Sequence, residues 1–173
     1  TSPARAAPSA DASGIGETAV MLELQPDGTP GQALWTGKPK IGVYSGNGTA
    51  LFDGDRLYGA DCGSGAFIAV NADDGQRLWE TFALTTGGQR RASHGTSFVV
   101  KHEDKFILFT ETGDLVFAKF GSEGFEELGR MHVLEPTSEG MGRAVVWSHP
   151  AFANRCLFAR NDKELVCVSL VAE

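Results

Sequence analysis

The pentapeptide Gly31-Gln32-Ala33-Leu34-Trp35 returns 44 positions later as Gly75-Gln76-Arg77-Leu78-Trp79. A repeat at such a period means copies of one supersecondary unit, stacked because no copy can bury its apolar side alone. A third, more diverged copy runs Ala118-Lys119-Phe120-Gly121-Ser122-Glu123-Gly124-Phe125-Glu126-Glu127-Leu128. It sets Gly124 against the glycine and Leu128 against the tryptophan. Trp35, Gly75, Trp79, Gly124 and Leu128 are therefore the expected anchors of the repeat, with the two indoles lying over a neighbouring unit.

The stretches ahead of the motif keep a similar period. Asp55-Arg56-Leu57-Tyr58, Lys105-Phe106-Ile107-Leu108-Phe109 and Arg155-Cys156-Leu157-Phe158-Ala159 place Leu57, Ile107 and Leu157 at steps of 50 residues. These are short β-branched or aromatic runs bounded by Gly, Asp, Asn and Glu, the pattern of strands in a sheet protein. Helical repeats of the same length need long amphipathic stretches, and the sequence has none. A unit of about 40–50 residues built from four short antiparallel strands is a propeller blade. The expected fold is thus all-β: a partial β-propeller of about three and a half four-stranded blades, the last lacking its outer strand.

The units divide the chain as follows: residues 1–17 as a flexible linker or truncated leader, 18–37 as the end of one blade, 38–88 and 89–139 as blades, and 140–173 as an incomplete final blade. In the second unit the strands are expected at 49–52, 56–60, 66–71 and 76–82. In the last, Asn161-Asp162 reads as a two-residue hairpin turn, since both residues tolerate a left-handed backbone. Closed propellers use about four to eight blades. The expected partners are accordingly the remaining blades of the same propeller or a second copy.

Fifteen basic against 22 acidic side chains leave a net charge of −7, which argues against nucleic acid or an anionic membrane as the main partner and leaves another protein in place. No apolar stretch approaches the ~20 residues of a membrane-spanning helix. Three cysteines do not make a disulfide framework. Cys156 and Cys167 are expected across the Asn161-Asp162 hairpin from each other, as free thiols sooner than as a bond, and Cys62 sits alone in a Gly-rich turn.

The second copy extends backward as Ala69-Val70-Asn71-Ala72-Asp73-Asp74-Gly75-Gln76-Arg77-Leu78-Trp79. It lies in register with A-x-D-x-x-T-G-K-x-x-W, departing at Asn71, Asp74 and Gln76. With Thr112-Gly113-Asp114-Leu115-Val116, Val146-Trp147-Ser148-His149-Pro150 and Arg160-Asn161-Asp162-Lys163-Glu164-Leu165-Val166, the chain resembles the C-terminal part of bacterial PQQ-like β-propeller repeat proteins. That group is similar to the propeller lipoprotein of the outer-membrane barrel-assembly machinery. The resemblance implies a fold more than a role; the expectation is a WD40-like, non-catalytic binding or scaffolding module for a protein or small polar ligand, its compartment open between the periplasm or cell envelope and the cytoplasm of a bacterium. The alternative is part of a propeller-based enzyme, a PQQ-type oxidoreductase or a hydrolase, completed by another half. Quinone-binding relatives use an adjacent-cysteine disulfide and a Ca²⁺ held by Glu, Asn and Asp. Here no two cysteines are adjacent, and the acidic runs Asp53-Gly54-Asp55 and Asp73-Asp74-Gly75 serve turns. Neither a cofactor such as PQQ nor a metal is expected.

The polar residues with most to offer precede the innermost strands: Asn47 and Thr49, His94 and Thr96, Trp147 and His149. In a propeller such positions point toward the central channel, where groups from several blades can share one pocket. No catalytic residue is assigned. His102 and His132 read as turn and surface residues.

Overall fold

The computed structural model describes residues 9–10, 19–37, 40–88 and 91–171. Sixteen strands and no helix occur among them: β1 (Ser9–Ala10), β2 (Ala19–Leu24), β3 (Pro30–Thr36), β4 (Leu51–Asp53), β5 (Arg56–Ala60), β6 (Phe67–Asn71), β7 (Arg77–Thr81), β8 (Ser97–His102), β9 (Lys105–Thr110), β10 (Asp114–Phe120), β11 (Phe125–His132), β12 (Ser138–Gly140), β13 (Arg143–Val145), β14 (Ala151–Ala153), β15 (Cys156–Arg160) and β16 (Leu165–Ser169). They form antiparallel meanders in chain order: sheet I (β1-β2-β3), sheet II (β4 to β7), sheet III (β8 to β11), a β12-β13 hairpin, and sheet IV (β14-β15-β16). Most of the expected leader, together with Arg90 and Glu173, lies outside the described residues. Ser9–Ala10, expected in the leader, instead pairs with Ala19 and Val20.

The repeat is visible in the first turn of each later sheet. The closing pairs Asp53↔Arg56, His102↔Lys105 and Ala153↔Cys156 each span two residues. Those residues bend through left-handed backbone at Gly54, Glu103, Asn154 and Arg155. The steps between equivalent positions are therefore 49 and 51, which corrects the uniform step of 50. Leu57, Phe106 and Leu157 are equivalent, and Ile107 is not. A slip of one residue moves a side chain to the opposite face of a sheet, so the correction decides what touches what.

With that register, the odd and even faces sort cleanly. Leu57, Ile68 and Val70 of sheet II pack with Met21 of sheet I. The other face of sheet II, Tyr58, Phe67 and Ala69, packs on Phe106, Leu108, Val116 and Ala118 of sheet III. Ile107, Phe109 and Leu115 then turn toward Leu157 and Ala159 of sheet IV. The core is thus a series of sheet-on-sheet layers, and each middle sheet is apolar on both faces, as a stacked blade must be.

Three local expectations change. The last hairpin has Asp162 and Lys163 at its tip: Asn161 N–H donates to the Glu164 carbonyl at 3.1 Å, and Asn161 Oδ1 accepts from the N–H groups of Lys163 and Glu164, each at 2.8 Å. Asn161 closes the turn with its own side chain instead of occupying it. Cys156 lies opposite Ser169 and Cys167 opposite Phe158, so the two thiols are diagonal neighbours on one face and both are free. Finally, the β12-β13 hairpin was not expected; its tip uses Met141 and Gly142 at positive φ, and it carries Arg143 into the molecule.

Candidate functional site

Asp61, directly after β5, is buried and organises the turn that follows. Its Oδ2 accepts from the Ser64 N–H at 2.8 Å and from the Ser64 hydroxyl at 2.6 Å, and lies 3.0 Å from an Arg77 nitrogen. With the turn held, Cys62 N–H donates to the Tyr44 carbonyl at 2.6 Å and the Cys62 carbonyl accepts from His94 N–H at 3.0 Å. Gly65 and Gly95 meet main chain to main chain here, so that a Cβ on Gly95 would fall on Gly65.

This brings Cys62 and His94, 32 residues apart, side by side: Sγ lies 2.6 Å from Nδ1 and 3.8 Å from Nε2. His94 is placed there by a left-handed backbone with φ 57°, a cost a non-glycine residue meets only where the surroundings impose it. The Thr96 hydroxyl donates to the His94 carbonyl at 2.9 Å and accepts from Asn47 Nδ2 at 3.1 Å. Gly46, Asn47, Gly48, Ala60, Cys62, His94, Gly95 and Thr96 line the cleft so formed. The cleft is small, with room for roughly one water molecule.

Three of the six expected site residues, Asn47, His94 and Thr96, therefore meet. The others do not join them. Thr49 is exposed ahead of β4. The His149 ring lies 4.1 Å from that of Phe98, tilted by 47°. The Trp147 indole N–H donates to Glu111 Oε2 at 3.1 Å. His94 and His149 thus face different neighbours, because each lead-in segment is fixed by the turn beneath it.

Sequence reasoning passed over Cys62, whose partner is remote in the chain, and Glu111. The latter had a signal: Asp61, Glu111 and Asn161 stand at steps of 50 residues, each just past the second strand of its sheet, and all three are buried. Glu111 Oε1 lies 2.6 Å from Arg143 Nε, and its Oε2 accepts from a second Arg143 nitrogen at 3.1 Å and from Thr96 N–H at 2.9 Å. Arg143 also donates to the Ser93 carbonyl at 3.0 Å, next to His94.

Each expected anchor has a definite place. Trp35 donates its indole N–H to the Ala72 carbonyl of sheet II at 2.8 Å, and Trp79 to the Gly121 carbonyl of sheet III at 2.9 Å. The Trp79 ring sits among Phe67, Phe120 and Phe125. Gly75, at φ 73°, lies under Trp35, and a Cβ there would come 2.8 Å from Ile41 and 3.1 Å from the indole. Gly124 accepts from Gly121 N–H at 2.8 Å and closes its turn. Leu128 does not replace a tryptophan. The strand pairs Met21↔Trp35, Ala69↔Trp79 and Phe117↔Gly129 are equivalent, and each is followed by a bulge. Leu34, Leu78 and Leu128 are the bulged residues, exposed at 39%, 39% and 43%; the third tryptophan position is Gly129.

At the opposite end of sheet III, His132 Nδ1 lies 2.9 Å from Asp114 Oδ1 and Nε2 lies 3.2 Å from Glu135 Oε1. The Asp114 contact, supported by Glu135, raises the His132 pKa above its ordinary value. Burial alone would raise that of Asp114, but hydrogen bonds from His132, Arg130 and Thr112 outweigh it and hold the carboxyl below the usual range. Among the described residues no group of three or more His, Cys, Asp or Glu side chains is arranged to hold a metal ion.

Consecutive antiparallel meanders stacked face on face, two of them four-stranded, with β3 and β7 each laying a tryptophan over the next sheet, define an arc of β-propeller blades. No family model matches the sequence, and no curated protein matches it. Among solved structures the chain is similar to BamB from Moraxella catarrhalis, with a TM-score of 0.56 and 14% identity over 90% of this chain and 47% of that one. The chain thus spans about half the length of that protein, and the likeness at this identity is one of fold. No helix of the described residues is long and apolar enough to cross a membrane.

Proposed function

We propose that the chain is a non-catalytic binding and scaffolding module that docks a second β-sheet on the open face of sheet IV. The observation that carries this reading is the register. Tyr58 and Ile107 occupy equivalent places on sheets II and III, and each is covered by the sheet that follows. Phe158 is their counterpart on sheet IV, and the residues beside it are open: Leu165 is 69% exposed and Cys167 is exposed. An exposed leucine and thiol beside the half-buried Phe158, rimmed by Arg160 and Ser169, form a partly apolar face of the kind that partners cover. Its chemistry fits a twisted antiparallel sheet with an aliphatic and aromatic face, supplied by a further blade or a second copy. β16 also has no partner on its outer side among the described residues, an edge open to strand addition.

Light scattering coupled to gel filtration tests the reading. The chain is expected to associate in a concentration-dependent way, and Leu165→Arg to shift it to monomer without loss of its sheet signal. A monomer at every concentration, or association indifferent to Leu165→Arg, would contradict it.

A further inference from the structure

We propose that Cys62 and His94 form a peroxide-reactive thiol site, in which His94 takes the thiol proton and the cleft admits hydrogen peroxide to the sulfur. The thiolate is the nucleophilic form of cysteine, and a neighbouring imidazole is the usual means of producing it. Sγ and Nδ1 are direct neighbours, which is the arrangement that transfer needs.

The cleft supplies the access. Gly46 faces the thiol with no side chain: a Cβ there would lie 3.1 Å from Sγ and 3.6 Å from Nδ1. Asn47 and Thr96 add an amide and a hydroxyl to the wall, polar groups that suit a small hydroxylic molecule. A cleft this small keeps bulky electrophiles off the sulfur and leaves it reachable, at its mouth, only by a small hydroxylic oxidant. Sγ attacks one peroxide oxygen, so that the S–O bond forms as the O–O bond breaks. The sulfur is oxidised to a sulfenic acid and the peroxide is reduced; the proton held on His94 goes to the departing hydroxide, which leaves as water.

The molecule contains its own reference thiol. Cys167 is more exposed than Cys62, yet partial desolvation first and the adjacent Cys156 second raise its pKa, so less of it is thiolate. Exposure alone therefore favours Cys167, and the proposed site favours Cys62.

The test treats the reduced full chain with dilute hydrogen peroxide and dimedone, which traps sulfenic acid, and follows each cysteine by peptide mass spectrometry. The Cys62 adduct is expected to form about tenfold faster than that of Cys167, and His94→Asn to remove this excess. Asparagine is chosen because it tolerates the left-handed backbone at this position. Gly46→Ala is expected to slow Cys62 by covering the sulfur, and it decides the matter if the His94 variant does not fold. A Cys62 adduct no faster than that of Cys167, or a rate unchanged in the deciding variant, would overturn the proposal.

Discussion

The junction between sheets II and III and the junction between sheets III and IV solve the same problem with different chemistry. At the first, Trp79 reaches over sheet III and its ring joins an aromatic group with Phe67, Phe120 and Phe125. The acidic residue after the second strand, Asp61, is consumed locally by Ser64 and Arg77. At the second junction the tryptophan position holds Gly129. There the acidic residue, Glu111, turns across the gap and takes Arg143 and the Trp147 indole from the segment leading into sheet IV. Apolar anchoring is tolerant of small shifts, whereas an ion network works only when every partner is present. The first junction can therefore keep a water-sized cleft holding Cys62 and His94; the second is bonded across by Glu111, Arg143 and Trp147.

The largest effect should come from breaking those bonds. Glu111→Ala leaves Arg143 with only the Ser93 carbonyl and deprives the Trp147 and Thr96 N–H groups of their acceptor. Arg143 retains some contact with water, its side chain being 23% exposed, so the cost falls at about 3 kcal/mol, the lower end for a broken buried pair. Cys62→Ala at the other junction removes only a half-buried sulfur and should cost under about 1 kcal/mol. Denaturant unfolding of the two variants measures both. Equal costs would erase the difference between the junctions.

The smallest effect concerns the exposed counterpart of the Glu111 network, on the same sheet. His132 has its folded pKa raised and Asp114 has its own lowered. The stability from charged His132 is complete below the unfolded imidazole value of about 6.5 and is lost as pH rises through the folded pKa. That from Asp114 is present above the ordinary carboxylate value and is lost as pH falls through its folded pKa. The pair is therefore strongest between the two. His132 is 45% exposed, and solvent screening limits its share to about 0.3 kcal/mol. A titration of the unfolding midpoint across pH 6–8 in the protein and in His132→Ala should show a small difference that closes as pH rises.

The blade pattern was legible in the sequence because it rests on local chemistry: strand runs, turn residues and a Trp that recurs on the outer strand. The face each residue occupies was less so. A uniform step of 50 paired Leu57 with Ile107, and only the hairpin closing pairs show that Phe106 is the true equivalent. Leu128 was misread for a related reason, since a bulge separates it from the tryptophan position and a bulge leaves no mark in composition. The site was half legible. Asn47, His94 and Thr96 share a cleft because lead-in segments converge. Cys62 gave no linear sign of its neighbour, and the β12-β13 hairpin that delivers Arg143 to Glu111 is too short to announce itself by pattern.

An arc of blades requires sheets that stack in chain order, with the Trp35 and Trp79 indoles bonded to the unit that follows. Nuclear Overhauser contacts from the two indole N–H protons test that directly. Trp79 Hε1 should show contacts to Gly121 and the Phe125 ring, and Trp35 Hε1 to Ala72. Contacts from either indole confined to its own sheet, with that N–H exchanging as freely as in an unfolded chain, would contradict the stacked-blade arrangement.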